Sequence, residues 1–129
     1  MARILLVDDD ALFREVVHKI LVRAGHVVAD AANGDIALTT FGREPFDLVI
    51  TDIVMPDKEG LDTIRTLRRQ APALRIIAMS GGAVGAAGDY LTVARRLGAA
   101  RVLAKPFSAT DLVATVAAVL AEPPADAAG

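Results

Sequence analysis

"LLVDDDAL", residues 5–12, sets three aliphatic side chains against three consecutive carboxylates and then resumes an apolar pattern. Upstream, the run extends to "RILLV" (3–7), which reads as a strand buried on both faces. Downstream, Leu12, Phe13, Val16, Val17, Ile20 and Leu21 recur at helical spacing until Gly25 stops them. A buried strand passing directly into a helix is the first half of a parallel β-α-β unit, and the rest of the chain repeats it.

"HVVADA" (26–31) is the second strand, "NG" at 33–34 turns the chain, and a helix follows from about Asp35 to Gly42. "FDLVIT" (46–51) is the third strand, with Leu61, Ile64 and Leu67 marking the helix after it. "RIIAMS" (75–80) is the fourth; the Gly-rich "GGAVGAAGD" (81–89) leads into a helix ending near Gly98, and "RVLAK" (101–105) is the fifth strand. The last helix opens at "SATD", with Ser108 as N-cap, Asp111 at the third helical position, and an apolar face of Leu112, Val116 and Leu120. "EPPADAAG" has the composition of a flexible tail, so the chain divides into a domain at 1–121 and a tail at 122–129. Five strands alternating with five helices predict an α/β fold: one parallel sheet covered on both faces, its site beyond the carboxyl ends of the strands where their order reverses.

A length of 129 residues suits one domain with one continuous core. A 53% hydrophobic and 23% charged composition excludes disorder over most of the length. The net charge of −2 leaves no electrostatic footprint for nucleic acid, and the pairs Arg68-Arg69 and Arg95-Arg96 read as solvated helix faces. Without cysteine there is no disulfide or thiolate chemistry. No apolar run approaches the roughly 20 residues that cross a bilayer, and the expected location is the cytoplasm.

Four of the five strands deliver a polar group to one edge: Asp8, Asp9 and Asp10 after the first, Asp52 after the third, Ser80 at the fourth, Lys105 at the fifth. Two like charges about 4 Å apart repel by roughly 4 kcal/mol at an effective dielectric near 20. Three clustered carboxylates therefore carry on the order of 10 kcal/mol, comparable to a whole domain's stability of roughly 5–15 kcal/mol. Raised pKa values, a lysine or a bound cation must offset this. An all-oxygen site suits Mg²⁺, while His18 and His26 lack metal-ligand spacing and read as surface residues. A cation held by carboxylates beside an ammonium and a hydroxyl is equipment for receiving a phosphoryl group, with Asp52 as attacking carboxylate and Lys105 and Ser80 each holding a phosphoryl oxygen.

"LLVDDD", "DLVITDIVMPDKEG", "IIAMSG" and "GAARVLAKPF", in this order and spacing, resemble the response regulator receiver domains of two-component signal transduction over residues 3 to about 121. The resemblance implies a flavodoxin-like (βα)5 three-layer sandwich with strand order 2-1-3-4-5. It also implies an acidic pocket of Asp8 and Asp9 with Asp9 a direct Mg²⁺ ligand, Asp52 the phosphoacceptor, Ser80 the switch hydroxyl and Lys105 the invariant lysine. The carbonyl of Val54 is implied as a further metal ligand, and the Lys105-Pro106 peptide as cis. Asp10 falls one place past the acidic pair and reads as a helix N-terminal residue; Met55, Pro56 and Gly60 only shape the loop. The expected partners are a sensor histidine kinase or phosphotransfer protein docking near Arg14, His18 and Arg23, a downstream protein target, and a second copy in a phosphorylation-dependent homodimer. Neither nucleic acid nor membrane is expected, nor enzymatic activity beyond the domain's own phosphorylation and dephosphorylation.

Two departures stand out. Val102 occupies the place where receivers usually carry an inward-turning aromatic, and Ser80 lies 18 positions before Gly98, a longer interval than usual. These suggest that Ser80 draws the Gly-rich loop inward, remodelling the surface formed with the helix before Gly98, the fifth strand and the last helix. A nucleotide loop lacks its Lys-Ser/Thr ending and its GxGxxG. The rival readings are a receiver-like binding module that is never phosphorylated, and a haloacid-dehalogenase-like phosphatase using Asp8-x-Asp10.

Overall fold

The computed structural model describes residues 2–53, 60–80 and 98–122, with backbone only at 60 and 61. In chain order the elements are β1 (Arg3–Val7), α1 (Ala11–Arg23), β2 (Val27–Ala31), α2 (Gly34–Arg43), β3 (Leu48–Asp52), α3 (Gly60–Gln70), β4 (Arg75–Ser80), β5 (Arg101–Ala104) and α4 (Ala109–Ala121). All strand pairs are parallel, in the order β2-β1-β3-β4-β5. The Gly-rich stretch, the helix expected before Gly98, Val54, Met55, Pro56 and residues 123–129 of the expected tail lie outside the described residues.

The two-residue alternation of a strand sorts the core into two layers. Ile4 and Leu6 of β1, Leu48 and Ile50 of β3, and Ile77 and Met79 of β4 face Val17 and Leu21 of α1 and Leu112, Val116 and Val119 of α4. Leu5, Val7, Val49, Ile76 and Ala78 face the opposite way, onto Ala37 of α2 and Ile64 and Leu67 of α3. This double burial explains the unbroken aliphatic runs, each buried Leu or Ile contributing about 1.5–3 kcal/mol of apolar transfer.

The element bounds moved slightly for identifiable reasons. β3 runs to Asp52 because Asp52 pairs with Met79 in the ladder, and it starts at Leu48 rather than Phe46. α2 begins at Gly34 because the Asn33 side chain accepts from the Ile36 amide, an N-cap that sets the helix start. The apolar face of α4 is completed by Val119, with Leu120 only half-buried. On α1, Leu12 and Val16 are 77% and 55% exposed, so two of the six expected core positions instead face outward.

The register aligns the strand tips. Val7 lies opposite Ala31 and Thr51, and Ser80 opposite Ala104. Backbone hydrogen bonds continue past the tips: Asp8 N–H to Ala31 O (3.1 Å), Ile53 N–H to Met79 O (3.0 Å) and Lys105 N–H to Ser80 O (2.7 Å). The residues leaving β1, β3 and β5 are thereby held at one edge, and the order reverses between β1 and β3 there.

Candidate functional site

Asp8 is fully buried, Asp52 and Ser80 nearly so, while Asp9 is exposed. Between them reaches the ammonium of Lys105, which donates to Asp8 Oδ2 at 2.7 Å and to Asp52 Oδ2 at 3.0 Å. The sequence left three ways to offset the acidic repulsion, and this lysine is one that the structure displays. A second is visible at Asp8: burial lifts its carboxyl above the ordinary range, outweighing the opposing pull of Lys105 and of the Asp10 amide. On Lys105 burial is again the largest influence and acts downward, but the two carboxylates together hold it above the ordinary lysine value.

Asp10 is not part of this charge cluster. Its Oδ1 accepts from the Leu12 and Phe13 amides at 3.1 Å each, capping α1, while its own amide donates to Asp8 Oδ1 at 2.9 Å. The acidic triad is therefore Asp8, Asp9 and Asp52, not the three consecutive aspartates. The same cap occupies the second acid that the phosphatase reading requires.

One carboxylate oxygen from each of Asp8, Asp9 and Asp52 lies within 4.8 Å of the others. Octahedral Mg²⁺, with oxygens at about 2.0–2.1 Å, spaces adjacent ligands about 3 Å and opposite ones about 4 Å apart. The hard all-oxygen donor set and its spread fit that ion, and exposed Asp9 leaves a side open for the waters Mg²⁺ retains.

Ser80 sits buried at the tip of β4, its carbonyl bound by the Lys105 amide. Val102 is half-buried against the α2–α3 layer. The Lys105-Pro106 peptide is cis. Sequence reasoning missed two residues beside the site. Arg14, which the sequence places on the expected docking face, turns inward, donating to the Asp8 carbonyl at 2.6 Å and lying 3.8 Å from Asp30. Phe13 lies against Lys105; only its place in the first turn of α1, close behind the acidic stretch, could have signalled this. Both histidines are half-buried: His18 Nδ1 is 2.7 Å from Asp30 Oδ1, and His26 Nδ1 accepts from the Ala2 amide at 3.2 Å. Burial, and secondarily the N-terminal charge, lower the pKa of His26.

The sequence matches the family model described as "Response regulator receiver domain" over residues 4–117. Among curated relatives, the response regulator receiver protein CpdR of Brucella abortus (strain 2308) is 39% identical over 113 residues, covering 88% of this chain and 92% of CpdR. The DNA-binding transcriptional regulator NtrC of Rhizobium meliloti (strain 1021) is 36% identical over 124 residues, 95% of this chain but 25% of that protein. The chain thus spans about a quarter of the NtrC relatives it matches. Among solved structures, Vibrio cholerae chemotaxis protein CheY4 superposes with a TM-score of 0.84 at 30% identity, covering 92% of this chain and 98% of that one. A Clostridium thermocellum response regulator receiver domain protein gives 0.86 at 29%, covering 93% and 94%.

Proposed function

Because this chain belongs to the response regulator receiver domains, a family of two-component signalling domains, we propose that Asp52 accepts a phosphoryl group from a phosphohistidine and thereby switches protein contacts. The observation that carries this reading is the single ammonium shared by Asp8 and Asp52 at the reversal of strand order. A carboxylate oxygen of Asp52 attacks phosphorus, the P–N bond breaks, and its electron pair leaves on the donor imidazole, which takes up a proton from water. Lys105, already 3.0 Å from Asp52, offsets charge on the transferred group, and the Ser80 hydroxyl holds another of its oxygens. Asp8, Asp9 and Asp52 would hold Mg²⁺, with the Val54 carbonyl as the ligand the family pattern adds. When bound, the ion supplies positive charge beside the phosphoryl oxygens.

The donor is a sensor histidine kinase or a phosphotransfer protein, and the output is a protein contact made in the cytoplasm, a second copy of the chain included. Catalysis is limited to the domain's own phosphorylation and dephosphorylation. Support for docking lies on α1 and α4, where exposed Val16 and Ala117 and half-buried Ile20 and Val113 line a groove of about 710 Å³ rimmed by Lys19 and Arg23. This face offers the apolar contact and positive rim that an acidic, amphipathic helix of the donor requires. The switch runs through Ser80 and the residues after it, since Val102 has no ring to reorient.

Incubation with acetyl phosphate and Mg²⁺ followed by intact-mass measurement tests the reading. The expected result is one added phosphoryl group, absent in Asp52→Asn. An unmodified wild-type chain would point to the unphosphorylated binding module instead.

A further inference from the structure

The ammonium of Lys105 has three N–H bonds, of which two reach Asp8 and Asp52. Against it lies the ring of Phe13, with Nζ 4.2 Å from the ring centroid. The Phe13 ring is itself held edge-on by Phe107, centroids 5.6 Å apart at 81°. The lysine side chain is left 17% exposed. Asp10 fixes this arrangement at its base, since its carboxylate accepts from the Phe13 amide. Two chain segments thus converge on one cation, α1 supplying the ring and the Lys105–Phe107 segment both the ammonium and the second ring.

We propose that Phe13 is a positioning residue for phosphoryl transfer, its ring face holding the Lys105 ammonium over Asp8 and Asp52. The inference rests on Asp52 being the phosphoacceptor. A four-carbon side chain has many rotamers, and two carboxylates alone would let it pivot between them and solvent. The negative face of an aromatic ring attracts the cation, which an aliphatic side chain of equal bulk does not. A ring face is also a poor substitute for water as a hydrogen-bond acceptor. The ammonium therefore keeps donor capacity that an incoming phosphoryl oxygen takes up without first displacing a tightly bound water. Phe107, packed edge-on, keeps the ring from turning its positive edge toward the cation.

The test compares wild type with Phe13→Leu, Phe13→Met and Phe13→Tyr. The chain has three lysines, so selective ¹³C labelling gives three ε-methylene signals to follow. In wild type and Phe13→Tyr, the Lys105 ε-protons should be shifted upfield by the ring; in Phe13→Leu and Phe13→Met they should return to the ordinary lysine position. The rate of labelling by acetyl phosphate with saturating Mg²⁺ should fall about three- to tenfold in the Leu and Met variants, with final stoichiometry unchanged, and be restored in Phe13→Tyr. Equal rates in wild type and a folded aliphatic variant overturn the proposal, as does a slowed variant whose Lys105 signal has not moved. The Met variant carries the comparison if the Leu variant does not fold. A wild-type chain that takes no label overturns the phosphoacceptor reading and the kinetic role with it. A labelled wild type without the upfield shift overturns the positioning role alone.

Discussion

At the level of single residues, Lys105 and Arg68 show how a cation's surroundings decide its worth. The folded-state pKa of Lys105 lies above the ordinary 10.5, so its interactions contribute stability in full below that value and lose it as pH rises through the higher folded one. Denaturant midpoints followed into the alkaline range should fall along this limb in wild type, with the limb absent in Lys105→Met. That variant should also lose about 3 kcal/mol near neutrality, because buried Asp8 and Asp52 lose the cation they share, and Mg²⁺ should recover part of the loss. Asp8 follows the same sign in the acid range: raised above 3.8, it binds its proton more tightly when folded, so its contribution to stability declines as pH rises past that value. Arg68 was read as solvated, yet its guanidinium donates to the carbonyls of Pro72, Leu74 and Gly98 at 2.6–2.7 Å. Arg68→Met should cost about 2 kcal/mol or more in chemical denaturation, since three carbonyls lose a charged donor. Gly98→Ala should cost about 1–3 kcal/mol, as the residue sits at φ +101° and a Cβ would lie 2.8 Å from Arg68 Nε. A basic pair in one helix turn cannot announce such a role, because its acceptors are placed by the tertiary fold.

At the level of elements, strands and caps were the most legible parts. Uninterrupted aliphatic runs located the strands, and Ser108 caps α4 as expected, accepting from the Asp111 amide at 3.0 Å. Asp10→Ala and Ser108→Ala should each lower stability by about 1 kcal/mol in thermal or denaturant melts, with Asp10→Ser recovering most of its share. Helical periodicity was less decisive. It found the apolar stripe of α1 but not its edge: Val17 and Leu21 enter the core, whereas Leu12 and Val16 border the same stripe and stay in solvent. The candidate site was legible wherever a polar residue stood at or just past the end of a strand, as with Asp8, Asp9, Asp52, Ser80 and Lys105. It was not legible for Phe13 and Arg14, whose helical positions look like ordinary apolar and charged places until the turn of α1 above β1 is known.

At the level of the whole molecule, the sheet order places the first, third and fifth strand tips around one charge cluster. If Asp8, Asp9 and Asp52 bind Mg²⁺ only when folded, the ion should stabilise the chain by about 1.4 kcal/mol at ten times its dissociation constant. Thermal melts across a Mg²⁺ titration should show this rise, and Asp9→Ala should blunt it. The contact between Lys105 and Asp8 spans 97 positions of chain. On the ribosome, Asp8 and Asp52 therefore emerge long before the cation that binds them both is translated. A nascent chain halted after β4 would be missing the counter-charge at its acidic tip, so the proposed phosphoryl acceptance would wait for polypeptides synthesised past the fifth strand.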